Sequence, residues 1–128
     1  MNASAPGPVR SRRVLLADDN VDFATSLAAV LARGGHEIRV VHDGAQALRE
    51  VETFRPEFAF LDIGMPKVHG YELARRLREN PETADCVLIA VTGWGQEDDR
   101  RRAREAGFVR HLVKPVDPAE IEGILAGA

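Results

Sequence analysis

The sequence predicts an α/β domain with one doubly wound, five-stranded parallel sheet. Three observations lead there. Short apolar runs of strand length alternate with segments whose apolar residues recur at helical spacing. The alternation repeats five times between Arg13 and Leu125. Carboxylates, a threonine and a lysine stand at the ends of the apolar runs, where such sheets bind their ligands.

The first run, "VLLA" after Arg13, reads as strand 1. Phe23, Leu27, Val30 and Leu31 then mark one face of a helix, which Gly34 and Gly35 stop. "HEIRVV" alternates and reads as strand 2. Asp43 and Gly44 open the next helix, with Leu48, Val51 and Phe54 on one face. Pro56 breaks the chain before "FAFLD", strand 3. The loop "IGMPKVHG" leads to a helix carrying Leu73, Ala74 and Leu77 inward, ended by Asn80 and Pro81. "CVLIAVT" is the most continuous apolar run and is expected to be a strand buried on both faces. "QEDDRRRAREAG" forms a helix with a meagre apolar face, chiefly Ala103 and Ala106. Its early acids and later arginines suit the helix dipole, and Glu97–Arg101 and Asp98–Arg102 have salt-bridge spacing. "VRHLV" is strand 5. Asp117, Pro118 and Glu120 have the order of an N-cap, a first helical residue and a capping-box partner for the last helix. That helix has Ile121, Ile124 and Leu125 for the core.

Strand–helix alternation with right-handed crossovers favours the order 2-1-3-4-5, the flavodoxin-like arrangement. Residues 13–128 form this domain. Residues 1–12 read as a disordered tail or linker, because Ala, Ser, Pro and Gly cannot bury enough apolar surface to offset their ordering entropy. Arg10, Arg12 and Arg13 are expected to be solvated.

Composition narrows the function. The 128 residues suit a single domain with one core. A net charge of −3 argues against a general nucleic-acid binder. No apolar run spans a membrane and no secretory signal opens the chain, so the cytoplasm is expected. Cys86 is the only cysteine, which excludes an intrachain disulfide and reads as a small buried hydrophobe.

The chemistry gathers at one sheet edge. Asp18 and Asp19 end strand 1 and Asp62 ends strand 3, its predicted neighbour. Thr92 ends strand 4 and Lys114 ends strand 5. Carboxylates brought together raise one another's pKa. A hard cation relieves this, and Mg²⁺ takes carboxylate oxygens together with water and phosphate. With Lys114 it cancels the charge of the three carboxylates, so the site can accept a phosphoryl group. Plainer roles exist for each residue. Asp18 or Asp19 would serve as a helix cap, Asp62 as a loop-initiating carboxylate, Thr92 as an ordinary strand end and Lys114 as a solvated lysine. Trp94 reads as a partly exposed loop aromatic.

The motifs "LLADDN", "FLDIGMP", "VTGWG" and "LVKPV", in order and each at a strand end, resemble the receiver domains of response regulators in two-component phosphorelays. The resemblance covers Arg13 to Leu125. It implies that Asp62 is the nucleophile that takes phosphate from a phosphohistidine. It makes Asp19 the main metal ligand, with Asp18 acting largely through water and the Gly64 carbonyl as a further ligand. It has Thr92 and Lys114 binding the phosphoryl oxygens, a cis bond between Lys114 and Pro115, and Gly93 leaving the site open to a donor. A sensor histidine kinase or a histidine phosphotransfer protein would supply the phosphate, and a downstream protein would read the result. Two positions depart from the commoner pattern: His111, where Tyr or Phe is frequent, and His69, where an acid is frequent. The "GFVRHLVKPVD" segment looks more like receivers attached to hybrid sensor kinases.

With no output segment after Ala128, the expected protein is a single-domain regulator, a phosphate shuttle or sink, or the receiver of a hybrid kinase. Two alternatives stand beside it. A haloacid-dehalogenase-like phosphatase would also use an Asp nucleophile and Mg²⁺. It normally has a second Asp two residues on, where this chain has Gly64. A non-phosphorylated scaffold would need only the fold.

Overall fold

The computed structural model describes residues 11–65, 67–93 and 100–127. The elements are β1 (Arg13–Ala17), α1 (Val21–Arg33), β2 (Glu37–Val41), α2 (Gly44–Phe54), β3 (Phe58–Asp62), α3 (Gly70–Glu79), β4 (Val87–Thr92), α4 (Arg100–Ala106), β5 (Phe108–Val113) and α5 (Pro118–Gly127). All strand pairs are parallel, in the order β2-β1-β3-β4-β5.

Side-chain alternation divides the core between the two faces of the sheet. Leu15, Ala59, Leu61, Leu88 and Ala90 pack against α2, α3 and α4. Val14, Leu16, Phe60, Ile89, Val91 and Leu112 pack against Leu27 and Leu31 of α1 and Ile121 and Leu125 of α5. With both faces covered, β3 is buried throughout and β4 nearly so, which is why their sequences are almost unbroken apolar runs. Cys86 is buried just before β4, and burial pushes its thiol pKa up to about 12.

Local chemistry sets the helix ends. The Asn20 side chain caps α1 by accepting the Phe23 N–H at 3.0 Å, so neither Asp18 nor Asp19 has the capping role. Asp43 caps α2 through the Gln46 N–H. His69 caps α3 by accepting the Tyr71 N–H on Nδ1, an uncommon task for histidine. Asp117 accepts the Ala119 N–H at the start of α5. In α4, Ala103 and Ala106 are buried, as their spacing predicts. The Glu97–Arg101 and Asp98–Arg102 pairs and Trp94 involve residues outside those described.

One expectation fails. Arg12 is not solvated; it is 7% exposed. Its N–H donates to His36 Nδ1 and its Nε to the Leu125 carbonyl, both at 3.1 Å. Its guanidinium lies over the Phe58 ring and 3.6 Å from Glu57. The Leu125 carbonyl on Nε, the nearby Glu57 carboxylate and the Phe58 ring make burial of the charge tolerable. His36, accepting on Nδ1, presents Nε2 to Glu122 at 3.0 Å. Arg13 is exposed, as expected.

The β4–β5 pairing contains an irregularity. Leu88 faces Phe108, but Ile89 faces Arg110, so Val109 is an extra residue in β5. From there Ala90 faces His111 and Thr92 faces Val113.

Candidate functional site

Asp18 leaves β1 with its N–H bonded to the Val41 carbonyl, and its Oδ1 accepts the Asn20 N–H at 2.8 Å. These two bonds turn the chain sharply over the sheet edge. Asp18 is buried and Asp19 exposed. Asp62, last in β3, is 6% exposed. One carboxylate oxygen from each of Asp18, Asp19 and Asp62 can be chosen so that all lie within 4.8 Å of one another. The two β-strands meet here because β1 and β3 are neighbours, with Ala17 opposite Leu61.

Lys114 Nζ enters from the end of β5, 2.7 Å from Asp18 Oδ2 and 3.9 Å from Asp62 Oδ2. It also lies 4.5 Å from the centre of the Phe23 ring, whose face favours a cation. Its backbone N–H bonds the Thr92 carbonyl, and the Lys114–Pro115 bond is cis.

Asp62 Oδ1 accepts the Gly64 N–H at 3.0 Å. Burial nevertheless raises the Asp62 pKa to about 6; the Gly64 bond opposes the rise, Asp18 and Asp19 add to it, and Lys114 opposes it. Three carboxylates here are paired with Lys114. A set of hard oxygen donors crowded in this way fits a divalent cation such as Mg²⁺.

Thr92 ends β4 with its hydroxyl bonded to a partner other than the carboxylates. Strand alternation puts it on the α3–α4 face, with Ala90 and Leu88, whereas Asp62 follows Phe60 on the α1–α5 face. Its Oγ1 is hydrogen-bonded to His111 Nε2 at 2.8 Å. The structure thus groups Asp18, Asp19, Asp62 and Lys114, while the Thr92 hydroxyl is engaged elsewhere. Sequence reasoning missed His42, whose Nδ1 lies 2.9 Å from the Asp18 carbonyl. Its position at the end of strand 2, beside strand 1, was the available signal.

A family model described as the response regulator receiver domain matches residues 14–126. The chain belongs to this family. The transcriptional regulatory protein PrrA of Mycobacterium leprae is 40% identical over 88% of this chain and 48% of its own length. The protein PilH of Pseudomonas aeruginosa is 30% identical over 90% of this chain and 98% of its own. The chain thus spans nearly all of one relative and about half of another. The receiver domain of a sensor histidine kinase from Pseudomonas aeruginosa superposes with a TM-score of 0.80 and 31% identity, covering 90% of this chain and 94% of that one; a magnesium ion is coordinated in its active site cleft. The acidic pocket of this receiver domain is compatible with a phosphoacceptor site. Among the described residues, no helix is long and apolar enough to cross a membrane.

Proposed function

We propose that Asp62 accepts a phosphoryl group from a phosphohistidine, with Mg²⁺ held by Asp18, Asp19, Asp62 and the Gly64 carbonyl. The observation that carries this reading is the meeting of three carboxylates with Lys114 at one sheet edge. Gly64 ties Asp62 Oδ1 through its N–H, which leaves Oδ2, the oxygen facing Lys114, as the attacking atom. That oxygen forms a bond to phosphorus as the phosphorus–nitrogen bond of the donor breaks. The electron pair stays on the imidazole nitrogen, which picks up a proton. When bound, Mg²⁺ offsets charge on the phosphoryl oxygens. Lys114 shares that task, and the Thr92 hydroxyl bonds one of these oxygens once it leaves His111. Phosphoryl transfer asks for little more than such positioning and electrostatic stabilisation.

The donor is a sensor histidine kinase or a histidine phosphotransfer protein, and the phosphorylated surface is read by a protein target. The domain catalyses only its own phosphorylation and dephosphorylation, in the cytoplasm. Gly64 speaks against the phosphatase alternative, because that chemistry needs a carboxylate where this chain has none. The converged donor set speaks against a bare scaffold. Borohydride trapping tests the assignment: after acetyl phosphate and Mg²⁺, reduction of the acyl phosphate should convert Asp62 alone to homoserine, found by peptide mass spectrometry. Homoserine at another aspartate, or at none, would reject Asp62 as the acceptor.

A further inference from the structure

We propose that Phe23 is a positioning residue for Lys114: the face of its ring keeps the ammonium at the site when Asp18 loosens its hold, so that the lysine is in place to meet a phosphoryl group. This rests on the reading of Asp62 as acceptor and of Lys114 as a partner of the phosphoryl oxygens. The ring itself has no group that bonds phosphate or metal.

The two closest holds on the ammonium come from one turn. Lys114 Nζ lies 2.7 Å from Asp18 Oδ2 and 4.5 Å from the centre of the Phe23 ring. The turn is braced internally. Asp18 Oδ1 accepts the Asn20 N–H at 2.8 Å, and Asn20 Oδ1 accepts the Phe23 N–H at 3.0 Å. The ring is half-buried and packs against the α1–α5 core, so it stays where it is when the lysine moves.

The two holds respond differently to a metal. Asp18 is a proposed ligand of Mg²⁺, and in that role it shares its charge with the cation. Its pull on Nζ then weakens, and the cation repels the ammonium. The ring has no charge to share. Its attraction comes from its quadrupole, which persists when the carboxylates are occupied. Lys114 has a flexible four-carbon stem. Its side chain is 20% exposed, so solvent is the alternative to the ring. An anion on Asp62 meets the lysine only in the fraction of molecules that retain it, and apparent affinity scales with that fraction.

Fluorine withdraws negative potential from the ring face while changing its shape little. Mono-, di- and trifluorinated phenylalanine at position 23 therefore grade the attraction at nearly constant packing, and Phe23→Leu removes it. The probe is beryllofluoride, titrated by NMR into each protein in the presence of Mg²⁺. We expect affinity to fall with each added fluorine, by about twofold to tenfold across the series, while calorimetric Mg²⁺ affinity stays constant. Equal beryllofluoride affinity throughout, or equal losses of anion and metal affinity, would overturn the proposal and leave Asp62 as the acceptor. A second measurement needs no anion: the proton shifts of the Lys114 methylene next to Nζ. The ring face should move them upfield in metal-free wild type, the displacement should survive addition of Mg²⁺, and Phe23→Leu should abolish it. Ordinary lysine shifts in wild type, or a displacement lost on adding Mg²⁺, overturn the retention even if beryllofluoride binds to no protein, a result that would separately reject the Asp62 reading.

Discussion

Lys114 Nζ lies 2.7 Å from Asp18 Oδ2 but 3.9 Å from Asp62 Oδ2. The lysine is therefore committed first to the metal-ligand side of the cluster and only loosely to the proposed nucleophile. It stands where a cation would offset Asp18, and close enough to Asp62 to meet an incoming phosphoryl oxygen.

This arrangement predicts a split between metal binding and chemistry. Lys114→Met removes a positive charge that competes with Mg²⁺ for the carboxylates, so calorimetric Mg²⁺ affinity should hold or rise. It also removes a charge-assisted bond to the phosphoryl group, worth about 1.5–3 kcal/mol, so labelling by acetyl phosphate should slow by about tenfold or more. Equal losses of metal affinity and labelling would show that Lys114 acts only on the local structure.

Asp62 makes stability depend on pH. Its folded pKa of about 6 lies above the ordinary 3.8, so the folded state binds more protons than the unfolded chain between those values. Stability of the metal-free fold should fall as pH rises through this window. Asp62→Asn cannot ionise, so at pH 7 it should be more stable than wild type by about 1–3 kcal/mol, at about 1.4 kcal/mol per pKa unit. The gain should vanish near the ordinary carboxylate pKa. Urea unfolding of both proteins in chelator at several pH values measures it. A constant difference across the series would place its cause outside Asp62 ionisation.

Gly70 holds the loop after Asp62 against the sheet. A Cβ there would lie 2.6 Å from Ile63 Cα and 3.1 Å from the Asp62 carbonyl oxygen. The obstacles are backbone, so relief requires the loop to move. Gly70→Ala should destabilise the fold by about 1–3 kcal/mol, typical of overpacking, and weaken Mg²⁺ binding, because Gly64 sits on the displaced loop. Unchanged urea midpoint and Mg²⁺ affinity would show that the loop accommodates the methyl group freely.

The sheet order and the cluster of Asp18, Asp19, Asp62 and Lys114 were legible in sequence for one reason: strand ends announce themselves where an apolar run meets a charge. Helix ends carry a more ambiguous signal than strand ends. Three cap-type residues, Asp18, Asp19 and Asn20, stand in a row, and only the geometry of the Phe23 N–H selects Asn20. In sequence Arg12 resembles the tail because its neighbours are polar. Its burial depends on His36, Glu57 and Leu125, brought to it by tertiary structure. The bulge at Val109 has no composition signal, since a valine fits a regular strand equally well. Position 111 stood out in sequence as a departure from the common pattern, but the face it occupies depends on that bulge.

The most direct test of the central claim is phosphotransfer from a phosphorylated histidine phosphotransfer domain in the presence of Mg²⁺, followed by intact-protein mass spectrometry of wild type and Asp62→Asn. Candidate donors are screened until one transfers to wild type. The account predicts that wild type gains one phosphoryl group, that chelator prevents the gain, and that Asp62→Asn gains none while remaining folded. Phosphorylation of folded Asp62→Asn at the wild-type rate, or transfer to wild type undiminished by chelator, would contradict it.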